Sequence, residues 1–134
     1  MNKHLIYATL ITVAMTMTGC HESLEKRCAR EAREYTEKLC PAPVGKDIIV
    51  DSMGFDAKTH TVWYYYSLSG NLDNTDAISR SHANIRRELI KAVRNATNLK
   101  MYKDEGYNFG YVYYSGSKPG AILFQVIFHP KDYK

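Results

Sequence analysis

The sequence predicts one α+β domain of element order α-β-β-α-β-β. Two hairpins form a four-stranded, mainly antiparallel sheet, and two helices pack on one of its faces. Three observations lead there. Two stretches place apolar residues at helical spacing. Two pairs of stretches rich in β-branched and aromatic residues flank turn chemistry. The 134 residues, 45% hydrophobic and 24% charged with a net charge of +4, have an ordinary globular composition and enough length for one core.

The first helix is expected over 23–39. Leu24, Cys28, Ala32, Tyr35 and Leu39 fall on one stripe, and Pro41 ends it by disfavouring a helical predecessor. Glu22/Lys26 and Glu34/Lys38 place acid before base one turn apart on its outer face. Residues 41–45 form a short linker. A strand over 47–53 turns through 54–60 into a return strand over 61–68. There Val62, Tyr64, Tyr66 and Leu68 point to one side, and Trp63 and Tyr65 to the other. Turn residues 69–75 lead to a second helix over 76–98, whose stripe is Ile85, Leu89, Ala92, Val93, Ala96 and Leu99. Arg80, Arg87, Lys91 and Arg94 form its basic outer face. After a loop over 101–106, strands over 107–114 and 121–128 are joined by the Ser-, Gly- and Pro-bearing loop 115–120.

Cys28 and Cys40 lie twelve positions apart. Along one helix that is about 18 Å, against about 4.4–6.8 Å between disulfide-linked Cα atoms. The helix breaks, the thiols stay unpaired, or Cys40 pairs between chains. Cys28 on the stripe is most simply a small core residue.

The first residues form an address. After Lys3, Leu5 to Met17 carry no charge, a length that suits a signal-peptide apolar region and is too short to span a bilayer. Met17-Thr18-Gly19-Cys20 resembles the lipobox of bacterial lipoproteins. The resemblance implies a cleaved signal peptide at 1–19, acyl chains on Cys20, an anchor at 20–22 and a domain at 23–134. Two or more acyl chains make a stable anchor. The expected location is the bacterial cell envelope, with the outer membrane foremost.

Signatures of catalysis are missing: no H-E-x-x-H, G-x-S-x-G, G-x-G-x-x-G or G-x-x-x-x-G-K-[ST] occurs. No catalytic residue, metal or cofactor is therefore expected. His21, His60, His82 and His129 lack a second His or Cys at ligand spacing. Asn71, Asp73, Asn74 and Asp76 collect oxygens in one loop. Helix capping explains them more simply than Ca²⁺, because the EF-hand Gly and Glu are missing.

Eleven tyrosines are the compositional oddity. With alternating side chains, some must lie on the sheet face away from the core, where Tyr offers apolar area with a polar tip. The candidate binding face is Trp63, Tyr65, Tyr111 and Tyr113; the alternative is cross-strand pairing that only stabilises the sheet. A nucleic-acid partner is not expected of an exported domain without an RNP-type motif. Glu34-Tyr35-Thr36 with Cys40-Pro41, Trp63-Tyr64-Tyr65-Tyr66-Ser67-Leu68-Ser69-Gly70, Leu99-Lys100-Met101-Tyr102-Lys103-Asp104 and Phe128-His129-Pro130-Lys131-Asp132-Tyr133 resemble small lipoproteins of Bacteroidetes-type bacteria, a resemblance that brings no activity with it. The expectation is a non-enzymatic, lipid-anchored envelope module that binds a protein or a glycan. The alternative is an inhibitor or immunity-type protein against an envelope hydrolase or toxin.

Overall fold

Ser23 opens the first helix, its hydroxyl accepting from the Lys26 amide at 3.2 Å. This is an N-cap that satisfies one of the orphan donors of the first turn. The computed structural model describes residues 21–134; the expected signal peptide at 1–19 and the expected lipidation site Cys20 lie outside the described residues. Helix α1 spans Leu24–Leu39, followed by β1 (Ala42–Gly45), β2 (Ile48–Asp56) and β3 (Thr61–Leu68). Helices α2 (Thr75–Arg80), α3 (His82–Asn95) and α4 (Lys100–Asp104) come next, with short 3-10 turns at Gly70–Leu72 and Thr97–Leu99. Strands β4 (Asn108–Ser115) and β5 (Ile122–Phe128) and helix α5 (Pro130–Tyr133) complete the chain.

The sheet has five strands, not four, in the sequential order β1-β2-β3-β4-β5. The extra strand is the expected linker: Ala42 pairs with Val50 and Pro43 with Ile49 at the sheet edge. An edge is where a strand tolerates proline, which cannot donate to a ladder on both sides. The sheet is also mixed. Three pairings are antiparallel, but β3 and β4 run parallel from Thr61↔Asn108 to Leu68↔Ser115. They are the two strands that the α2–α4 segment separates, and a helical crossover returns the chain in the same direction, where a tight hairpin would reverse it.

The expected second helix is two. It breaks at Ser81, whose backbone amide caps α2 and whose φ of -95° and ψ of 3° leave the helical region. Asn74 caps α2, its side chain accepting from Ala77 N at 2.9 Å. The expected loop over 101–106 is largely α4.

The helices cover one face. Cys28 from α1, Ile90 and Val93 from α3, Leu99, Tyr102 from α4 and Tyr133 from α5 meet Val62, Phe109, Tyr111 and Phe128 from the strands in the main core. A second cluster joins Leu68, Ile78 and Phe124. The stripes shift in detail: Leu39 is 57% exposed beyond the end of the sheet contact, Ala92 is exposed, and Ile90 takes a buried place instead. Cys28 and Cys40 are both free thiols; Cys28 is buried in the core and Cys40 follows the last turn of α1. Burial pushes the Cys28 thiol up to about 12, as suits an inert core residue.

Candidate functional site

Because helices occupy one face of the sheet, strand alternation leaves the opposite face to Trp63 and Tyr65 of β3, Gly110, Val112 and Tyr114 of β4, and Gln125 and Ile127 of β5. Among the described residues no helix packs on it. Trp63 stands in register with Gly54 on one side and Gly110 on the other. These glycines shape the surface. A Cβ at Gly110 would run into the Trp63 indole, while one at Gly54 would sit 3.7 Å from the Tyr65 ring. The indole therefore lies down on the β4 backbone. Trp63 and Tyr65 stack with centroids 6.2 Å apart, and Tyr65 and Tyr114 with centroids 6.4 Å apart. Val112, opposite Tyr65, is only 3% exposed, so the surrounding side chains close over it. At the margin, Ser67 donates to Asp51 Oδ2 at 2.6 Å. Burial is the first cause of a raised Tyr65 hydroxyl, with Tyr114 and Asp56 adding to it, so the Tyr65 ring stays neutral across ordinary pH.

The four residues expected on one face are divided. Trp63 and Tyr65 share the helix-free face; Tyr111 and Tyr113 point the other way, under the helices. Tyr64 stacks on Tyr111 at 5.0 Å and Tyr66 on Tyr113 at 4.7 Å. Tyr111 is 7% exposed and belongs to the core. The residue of β4 that joins the strip is Tyr114. In sequence, Tyr111, Tyr113 and Tyr114 occupy both phases of one strand, so choosing among them requires the register. The one usable signal was Gly110, a small residue in the phase that leaves room for an indole.

Gly110→Ala is expected to destabilise the domain by about 1–3 kcal/mol through overpacking against the indole. In a Trp63→Ala background, where that space is open, the same change is expected to be close to neutral. Urea midpoints of the four proteins measure the coupling, and equal costs in both backgrounds would disprove the steric link.

A second concavity of about 500 Å³ lies on the helix side between α1 and the Leu99–Tyr102 segment. Met53, Val62 and Tyr64 floor it, and Arg27 and Glu31 edge it. Glu31 accepts from Tyr102 Oη and from Arg27 Nε, both at 2.7 Å. Burial alone would raise its carboxyl, but these two hydrogen bonds together with the charges of Arg27 and Arg30 outweigh it and hold Glu31 below the usual range. Burial and the Glu31 bond raise Tyr102. Such a pair keeps its proton on tyrosine and its charge on glutamate, an arrangement for orientation rather than proton transfer.

The other sequence candidates have local roles. Asp73 accepts from Ser115 Oγ at 2.6 Å and from Ser117 N and Oγ at 3.0 and 2.6 Å, tying down the β4–β5 loop. His60 stacks on Tyr107 and pairs with Glu25, His82 packs on Phe124, and His129 bonds Asn108. Among the described residues, no three His, Cys, Asp or Glu side chains gather as a metal-ligand group.

No curated protein matches the chain in sequence. Its fold is similar to that of a Pseudomonas aeruginosa protein described as secreted, with a TM-score of 0.70 at 14% identity over 85% of this chain and 100% of that one. The pilotin EpsS of the Vibrio vulnificus type 2 secretion system aligns with a TM-score of 0.62 at 12% identity, covering 83% of this chain and 92% of its own. The type II secretion system pilotin AspS of Vibrio cholerae aligns with a TM-score of 0.58 at 14% identity, covering 81% and 91%. The fold is thus similar to that of proteins of very different sequence. Residues 23–124, from the cap of α1 to the middle of β5, match the family model described as Domain of unknown function (DUF8479), and the chain belongs to that family.

Proposed function

We propose that this chain is a lipid-anchored protein of the bacterial envelope that acts by binding a partner protein, without catalysis. The observation that carries the reading is the helix-free sheet face on which Trp63, Tyr65 and Tyr114 form one stacked strip. Large rigid aromatics with polar tips, set beside few charges, have the composition of interface hot spots. The Met17-Thr18-Gly19-Cys20 motif supports the anchor. Likeness of fold to a protein described as secreted and to two pilotins supports an envelope setting. The pilotin likeness also favours a partner from an envelope secretion assembly over a glycan.

The test is in-cell crosslinking of the tagged full chain, followed by mass spectrometry, with Trp63→Ala and Tyr65→Ala beside the native protein. Loss of a hot-spot aromatic typically removes about 2 kcal/mol, roughly thirtyfold in affinity. One dominant partner is expected, depleted in both variants while their circular dichroism stays native. Undiminished capture by folded variants would remove this face from the interaction.

A further inference from the structure

At the end of the domain that carries the first turn of α1, a groove of about 510 Å³ runs between α3 and α5, lined by Arg86, Arg87, Ile90, Arg94, Lys131 and Asp132. Four cations thus surround one carboxylate. That carboxylate is already engaged, since Asp132 Oδ2 accepts from His129 N at 2.8 Å and Arg86 lies 3.5 Å from Oδ1. Arg94 donates to the Asp132 backbone oxygen at 2.6 Å, which fixes its guanidinium at the groove wall. Arg86 lies over the Phe128 ring, 5.3 Å from its centroid, and Arg87 is held by Asn84 at 2.8 Å. Neighbours thus position the three arginines; Asp132 offsets the charge of Arg86, while Arg87 and Arg94 have no ion pair among the described residues. Lys131 has no ion pair among the described residues.

The place of this groove in the fold indicates what it meets. Glu25 of α1 bonds His60 at 2.7 Å, His60 O accepts from Asn108 N at 2.8 Å, and Asn108 Oδ1 lies 2.9 Å from His129 Nδ1, just before α5. The first turn of α1, the β2–β3 turn, the start of β4 and α5 accordingly form one end of the molecule. Cys20 precedes the α1 cap Ser23 by three residues, a reach of about 10 Å. A lipid on Cys20 would leave no spacer and would set this end against the headgroups.

We propose that the α3–α5 groove receives the phosphate of an anionic phospholipid headgroup in the same membrane, so that the domain is held in one orientation. The inference rests on the anchoring of Cys20 proposed above. Planar guanidinium groups suit phosphate oxygens, and anionic leaflets attract basic segments only within a Debye length, a condition the short tether meets.

The test uses the full chain as cells make it, added to vesicles of phosphatidylcholine with or without phosphatidylglycerol, and reads amide hydrogen exchange. Exchange at residues 92–95 and 130–134 is expected to slow several-fold on the anionic vesicles. The slowing should vanish in Lys131→Gln, which breaks no bond seen here, and in Arg94→Gln. Equal rates on both vesicles overturn the proposal. Equal slowing by inorganic phosphate on neutral vesicles also overturns it, by assigning the groove to a free anion. Slowing only by an acidic peptide overturns it in favour of a protein. The mass of the purified chain reports the acyl group separately, so failure of the anchor and failure of the groove are distinguishable.

Discussion

Between pH 10 and about 12 the domain is expected to unfold, in a transition driven by its buried tyrosines. Tyr64, Tyr66, Tyr111 and Tyr113 form a stacked group on the helix side of the sheet, with ring centroids 4.7–6.5 Å apart in the Tyr64–Tyr111, Tyr66–Tyr111 and Tyr66–Tyr113 pairs. Burial is the main cause that raises each of the four, and all but Tyr113 are raised further by their neighbours. Tyr113 moves from 10.0 to about 12 and the other three move higher. Above pH 10 the unfolded chain has lost protons that the folded chain still holds. Stability is therefore fully present below pH 10 and is lost as pH rises toward the folded values. At about 1.4 kcal/mol per unit, Tyr113 alone removes on the order of 3 kcal/mol by pH 12. Four such groups exhaust a typical stability of about 5–15 kcal/mol. Phenolate absorbance and far-ultraviolet circular dichroism should show a small early titration, then one large step in which ionisation and loss of structure coincide. Complete ionisation near pH 10 with the dichroism intact would refute the buried stack.

Phe109→Ala is expected to lose about 3–5 kcal/mol, the range for a fully buried aromatic. Its ring is 0% exposed, its strand neighbours are Val62 and Phe128, and it meets Tyr133 edge-on at 5.6 Å. That last contact links the centre of the sheet to α5, because the Tyr133 hydroxyl donates to Tyr107 O at 2.7 Å. Urea unfolding should show a lower midpoint at unchanged slope. Phe109→Leu, which leaves a smaller void, should lose much less. A Phe109→Ala midpoint within error of the native one would contradict the packing described.

Local pattern carried the elements whose burial it dictates. The four-and-three spacing through Cys28 and Ala32 identifies α1, and the aromatic run of β3 shows which side chains face the helices. What failed was whatever depends on a partner. β1 holds Pro43, follows Pro41 directly and has no apolar alternation, and it becomes a strand because β2 offers it an edge. The parallel β3–β4 pairing is a property of the crossover, which no single segment encodes. The phase of β4 follows the same rule: only the pairing with Tyr64 and Tyr66 places Tyr111 and Tyr113 on the helix side rather than with Trp63 and Tyr65. The Arg86 and Arg94 groove was equally hidden, since its second wall is the last turn of the chain.

The parallel centre of the sheet also bears on the order of assembly. β2–β3 and β4–β5 are hairpins whose partners are close in sequence, whereas Thr61 and Asn108 are 47 positions apart. Closing so long a loop carries an entropic penalty that neither hairpin bears, and distant pairings slow folding. A chain that folds from its first half onward can form the β2–β3 hairpin early. It must then hold the aromatic edge of β3 unpaired until the second half arrives. Over that interval Trp63 to Tyr66 is the segment most exposed to wrong pairing.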